Sequence, residues 1–404
     1  MTALFDPARH EPLTSNPWRE ETAREAIERI AAASLEAFEP GLGWAMHPLD
    51  DPEAPDQRHH SMYYGSGGVV WALEHLARVG AIERRHDFAG FAAAIVERNR
   101  ADLEGEAHGT ASYLLGDTGL QLLQWTLAPD AALADRLFET VRSNLHNPVR
   151  EALWGSPGTV LAAIHMAEAT GQPRWADLVR EALQIIFDEM QTDAHAGGHW
   201  VWLQDLYGRK AVLLGAGHGF VGNVYPALRA AAMLEPALVA AFTERALQTL
   251  TATALHDDGA INWRPSVDAP GTPVSKLPLV HDCHGAPGVV CRLAGAPRTA
   301  AWDALLIGAG ELTWRAGPLV KGPSLCHGTA GSGMAMLKLW QRSGDELWLR
   351  RARALGMHAI EQVERHRAQY GMARHSLWTG DLGVACFLWN CVQGEAAFAT
   401  LDVF

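Results

Sequence analysis

The sequence predicts an all-α protein, an α/α toroid (double helical barrel) of seven helical hairpins, and three observations carry that prediction. The first is a repeat. G-x-x-G followed by an apolar, helix-forming stretch occurs seven times, beginning at Gly65, Gly116, Gly155, Gly219, Gly285, Gly328 and Gly380. A lone G-x-x-G means nothing, but seven, separated by 39 residues at the closest (Gly116 to Gly155) and 66 at the widest (Gly219 to Gly285), define an architecture. The second is the stretch after each motif: GTVLAAIHMA after Gly155 is apolar nearly all round, as an inner helix must be. The third is the segment between motifs. PRWADLVREALQIIFDEM, from Pro173 to Met190, alternates apolar and charged faces with the 3.6 period of an outer helix.

Each repeat is therefore an outer and an inner helix, and a hairpin of this kind buries its apolar face only against its neighbours. One domain over 1–404 is expected, with 1–20 as an N-terminal extension. The motif glycines are expected to allow close backbone approach and unusual φ values. They also aim seven helix N-termini at one end of the ring, where partial positive charge favours anions. Two segments break the helical reading, 194–214 with its strand-like HWVWLQDLYGRKAVLL and the Pro- and Gly-rich 257–279, and both are expected as substrate-shaping loops near the mouth.

Composition bounds the function. The hydrophobic share of 48% with 15 tryptophans is enough for a large core, and a mean hydropathy near zero, with no run of about 18 apolar residues, predicts no membrane span. A net charge of -13 disfavours a phosphate-neutralising surface, so nucleic acid is not an expected partner. Five cysteines, an odd number without a C-x-x-C, predict reduced thiols, and the N-terminus lacks a basic segment followed by an apolar run. A cytoplasmic protein is expected.

The chemistry lies in the register of the repeats. The residue before each motif's first glycine is, in order, Tyr64, Leu115, Trp154, His218, His284, His327 and Thr379. The residue before that is Tyr63, Leu114, Leu153, Gly217, Cys283, Cys326 and Trp378. Three consecutive repeats thus place histidine in one position, and two of them place cysteine in the next. Equivalent positions of adjacent repeats are neighbours in a toroid, so Cys283, His284, Cys326, His327 and His218 should converge. Two cysteines and a histidine suit Zn²⁺, and three protein ligands with an open fourth position describe a catalytic site. Cys291, Cys386 and Cys391 lie within apolar helical stretches and read as core.

LGAGHGFVG, HDCHGAPGVV and SLCHGTAGSG resemble the three signature motifs of the lanthionine synthetase C-like (LanC-like) family, closest to its eukaryotic-type branch, and the seven glycine repeats cover nearly the whole chain. The resemblance implies a zinc site at Cys283, Cys326 and His327, with His218 as the acid/base residue beside it. It matches Glu151, in EALWGSPG, to the family's acidic residue, and Lys321 to a lysine that contacts glutathione. The implied reaction adds a thiol, from a peptide cysteine or glutathione, to dehydroalanine or dehydrobutyrine in a dehydrated peptide. Two positions depart from the pattern: Asp282 replaces a tryptophan, and His284 stands where a tyrosine is common.

Each residue also has a plainer reading. His218 could be a helix-capping histidine, His284 a second partner or a surface side chain, Glu151 a salt-bridged helix residue, and Lys321 a solvated lysine. Arg374 could meet an anionic substrate group or be an exposed arginine. His59, His60, His195 and His199 read as surface or loop. Two other functions stand beside the enzyme reading, a silent glutathione-binding scaffold and a carbohydrate epimerase or hydrolase, which needs positioned carboxylates and no thiolate metal.

Overall fold

The structure, a computed structural model, describes residues 3–50, 57–267 and 277–404. Among the described residues the chain forms fourteen α-helices that alternate between the two predicted kinds. They run α1 (Glu20–Glu36) and α2 (Ser66–Arg78), α3 (Ala89–Asp102) and α4 (Asp117–Leu127), α5 (Ala131–Ser143) and α6 (Ser156–Thr170), α7 (Pro173–Asp188) and α8 (Phe220–Arg229). Then follow α9 (Pro236–Thr253) and α10 (Ala286–Leu293), α11 (Ala300–Ala316) and α12 (Thr329–Ser343), α13 (Glu346–Tyr370) and α14 (Asp381–Gln393). Every even-numbered helix begins at the residue after a motif's first glycine. Helix α6 is buried continuously from Ser156 to Met166. Helix α7 buries only Trp175, Leu178, Val179, Ala182, Leu183 and Ile186, the stripe its sequence period predicts.

The described residues group into two compact units, each built from separate stretches of chain: Met1–Ala8, Ala107–Tyr113 and Phe138–Ala316 in one, and Arg9–Glu106, Leu114–Leu137 and Gly317–Phe404 in the other. Within the first unit α6 packs on α7 and α8, α8 on α9 and α10, and α10 on α11. Within the second, α14 packs on α12 and α13 and also on α1 and α2, so the last repeat lies against the first. The N-terminal extension is tied down in this unit. Val320 N donates to Arg9 O and Glu11 N to Pro318 O, both at 3.0 Å, and Glu11 Oε1 accepts from Gln362 at 2.8 Å on α13.

The motif has a geometric reason. A Cβ on the first glycine would meet the carbonyl oxygen six residues earlier, at 2.1 Å for Gly285 and Gly380 and 2.3 Å for Gly219. The same holds for the fourth position, at 1.9 Å for Gly288 and 2.0 Å for Gly158. Positive φ is needed at only two of the seven leading glycines, Gly219 (φ 147°) and Gly285 (φ 121°); at Gly65, Gly155, Gly328 and Gly380, where the backbone is extended, space selects glycine. The expectation of anion-binding helix ends needs correction. The first amides of α2, α8 and α12 donate to carbonyls of their own preceding loop, as in Ser66 to His59 (2.9 Å), Phe220 to Leu213 (2.9 Å) and Thr329 to Gly322 (3.0 Å). Those donors are consumed within the chain.

Segment 194–214 forms short hairpins. Strand β1 (Gln191–Asp193) pairs with β2 (His199–Val201), and β3 (Gln204–Leu206) with β4 (Arg209–Ala211), both antiparallel. His195 and His199 lie in the first hairpin, in agreement with the loop reading. A third hairpin, β5 (Leu255–Asp257) with β6 (Ala260–Asn262), turns at Asp258-Gly259, both with positive φ. The sequence reading passed over this Asp-Gly turn signal. The predicted loop 257–279 lies outside the described residues over 268–276.

Candidate functional site

The position two before each leading glycine is shared between neighbouring tips through the backbone. In the second unit Cys326 N donates to Trp378 O (2.9 Å), Trp378 N to Tyr63 O (3.1 Å) and Tyr63 N to Leu114 O (2.9 Å). In the first unit Gly217 N donates to Cys283 O (3.0 Å). Sequence register has therefore become hydrogen-bonded register, which is why a residue type repeated in that position recurs on adjacent tips.

In the first unit the fourth and fifth repeats set His218 against His284, their rings stacked with centroids 5.8 Å apart. Close approach depends on glycine: a Cβ at Gly215 would fall 2.3 Å from His284 Nδ1, and one at Gly217 would fall 3.0 Å from Cys283 Cβ. Glu151 of the third repeat is fully buried. Its Oε2 lies 2.8 Å from His218 Nδ1, while its oxygens also accept the amides of Leu153 (3.0 Å) and Trp154 (2.6 Å). One carboxylate thus caps its own turn and holds the histidine ring by one nitrogen. This is a carboxylate–imidazole pair, in place of a surface salt bridge or a simple cap.

Cys283 is 7% exposed and Asp282 only 1%. Asp282 meets Arg292 through both oxygens, at 3.2 and 2.6 Å. Burial alone would lower the pKa of this enclosed guanidinium, but the adjacent Asp282 charge holds it raised. The aspartate that replaces tryptophan beside the cysteine is thus matched by an arginine ten residues later on α10.

In the second unit Cys326 is buried and His327 half-buried. Cys326 Sγ and His327 Nε2 are 3.6 Å apart, about the separation of a sulfur and a nitrogen on one tetrahedral zinc with bonds near 2.3 and 2.0–2.1 Å. Tyr63 Oη lies 2.9 Å from Cys326 Sγ; sequence reasoning missed this residue, although its place in the shared position was the available signal. Lys321 is exposed. Arg374 is not an exposed arginine: its Nε lies 2.9 Å from Asp50 Oδ2, its Nη2 also meets Asp50, and its side chain is 13% exposed. An anionic substrate group would have to compete with Asp50. His60 is likewise not on the surface, being 7% exposed with Nδ1 2.8 Å from Asp102. The core reading of the remaining cysteines holds, for burial pushes the Cys386 thiol up to about 12 and the Cys391 thiol up as well.

Asp381, the first residue of α14, accepts the Arg374 amide at 3.1 Å. Burial pushes its carboxyl up to about 7 from an ordinary 3.8, against the pull of the Arg374 amide and charge. The folded state then holds a proton that the unfolded chain loses, so this contribution is complete below about pH 4 and disappears as pH rises through 7. Stability should fall by roughly 1.4 kcal/mol per pH unit over that window, and Asp381→Asn should flatten the dependence in urea titrations between pH 5 and 8.

An all-α chain whose hairpin tips carry thiol and imidazole donors, with a histidine oriented by a buried carboxylate, defines the class. A family model described as lanthionine synthetase C-like protein matches residues 13–402. The chain belongs to this family. It is similar to a Danio rerio protein named glutathione S-transferase LANCL1, 27% identical over 63% of this chain and 62% of that protein. It is also similar to the Arabidopsis thaliana LanC-like protein GCL1, 36% identical over 30% of this chain and 29% of that protein. The chain thus spans less than two thirds of these relatives' lengths. Among solved structures it shares its fold with nisin cyclase, at a TM-score of 0.61 and 14% identity over 92% of this chain and 94% of that one. The fold is an α/α toroid, and no helix among the described residues is long and apolar enough to cross a membrane.

Proposed function

We propose that this protein adds a thiol to the β-carbon of dehydroalanine or dehydrobutyrine in a peptide, forming a thioether, with a zinc ion held by Cys283, Cys326 and His327. The observation that carries the reading is this donor set. Cys326 Sγ and His327 Nε2 lie 3.6 Å apart, a separation one zinc ion spans, and Cys283 holds on the fifth repeat the position that Cys326 holds on the sixth. Two thiols and an imidazole fit zinc by softness as well as by number.

Zinc, when bound, supplies a Lewis acid that ionises a thiol at its open position. A free thiol is only about 3% ionised at pH 7, so complete ionisation gains roughly 30-fold at most. Placement of the two reactants must supply more. The protein's own residues do the rest. After the sulfur–carbon bond forms, His218 gives a proton to the α-carbon of the enolate. Glu151 steadies the imidazolium before the transfer and keeps the Nδ1–H tautomer after it. His284, stacked on His218, limits how that ring turns. We assign to the exposed Lys321 a carboxylate of the thiol donor, and to Arg374 a role together with Asp50.

The thiol donor is a cysteine of the same peptide or glutathione; the name of the Danio rerio relative favours the latter. None of the five cysteines forms a disulfide, which suits a reducing compartment. The test is incubation with a dehydroalanine peptide, with and without glutathione, and a search for either thioether by mass spectrometry. No product from an internal or an external thiol overturns the reading, and tight glutathione binding without product, unchanged in His218→Ala, favours the silent scaffold. Purified protein should carry about one zinc per chain, lost in Cys326→Ala. Protein without zinc that processes sugars would restore the carbohydrate reading.

A further inference from the structure

We propose that Tyr63 is a positioning residue for Cys326, its phenol donating to the sulfur and so limiting the charge this ligand gives to its metal. The inference rests on the zinc reading above. Tyr63 stands on the first repeat's tip in the position that Cys326 occupies on the sixth, 263 residues later. Its Oη is 2.9 Å from the sulfur.

Three contacts hold that hydroxyl in place. The ring stacks on Trp378 with centroids 6.0 Å apart and planes inclined by 21°, and it meets Tyr64 edge-on at 5.8 Å. The backbone ladder Cys326 to Trp378 to Tyr63 ties donor and acceptor to the one tip between them, that of Trp378. The phenol and the thiol are thus registered by main chain as well as by packing.

The chemistry runs in one direction. A phenol donates and sulfur accepts, most strongly when the sulfur is a thiolate, the form in which cysteine binds metals. Electron density drawn into that hydrogen bond is withdrawn from the sulfur–metal bond. The ion is left poorer in electrons, and whatever occupies its fourth position is polarised more strongly. Groups that bond to metal ligands hold those ligands in place, and their loss typically costs 10- to 100-fold in metal affinity.

The test uses the full chain loaded with cobalt(II), whose sulfur-to-metal absorption reports thiolate donation, together with zinc affinity from competition with a chromophoric chelator. Tyr63→Phe keeps the ring in its stack and removes only the hydroxyl. It should move the absorption to lower energy and change zinc affinity by about 10-fold, while Tyr64→Phe leaves both unchanged. Tyr63→Phe with wild-type absorption and affinity within twofold overturns the proposal, and so does an equal shift in Tyr64→Phe. Wild-type protein that binds neither metal overturns the zinc reading itself.

Discussion

Methionine in place of Arg292 is expected to cost about 3–5 kcal/mol of folding stability, read as a lowered midpoint in denaturant titration. Asp282 is 1% exposed and Arg292 5% exposed, and the guanidinium supplies the counter-charge to both carboxylate oxygens. Removing it leaves a carboxylate enclosed in protein without that charge. The double variant Asp282→Asn with Arg292→Met removes both charges and should recover most of the loss, because a buried ion pair contributes little net stability once its desolvation is counted. A single variant as stable as wild type would show that the pair does not hold this tip. Since Asp282 immediately precedes Cys283, the single variant should also lose zinc, and the double variant should regain it.

His218→Ala should lower thioether formation by about 10²- to 10⁴-fold, the range for removing a placed general acid, while zinc content stays at the wild-type level. The two readouts separate a proton-transfer role from a metal-holding one. Glu151→Gln is expected to cost less, since an amide oxygen still accepts from Nδ1–H but cannot balance an imidazolium. Glu151→Ala should do more harm to stability, because the amides of Leu153 and Trp154 lose their acceptor as well. Full activity in His218→Ala would move the proton donor elsewhere.

How much was legible in advance differs from residue to residue. The seven helix starts were legible because a short-range rule selects them. At five of them, Gly65, Gly219, Gly285, Gly328 and Gly380, a carbonyl six residues back occupies the space of a Cβ, so glycine recurs at a fixed offset. The candidate donors Cys283, Cys326 and His327 were legible because repetition gives equivalent tips the same sequence offset. Pairings that cross repeats without sharing an offset were hidden. Arg374 with Asp50, His60 with Asp102, and Asp282 with Arg292 read in sequence as ordinary charged residues, and only their burial shows them to be partners. The amide donors of the inner helices were misjudged for a related reason: which carbonyl they reach depends on how the preceding loop folds back.

The sequence by itself determined the helical repeat, the alternation of inner and outer helices, and the alignment of cysteine and histidine at equivalent tips, because periodicity and offset are properties of the chain. Tertiary structure alone decided which nitrogen of His218 meets Glu151, that Tyr63 reaches Cys326, and that Asp282 is neutralised. Those outcomes depend on ångström-scale distances between residues tens to hundreds of positions apart, set by backbone bonds between tips and by the exclusion of water from buried charge.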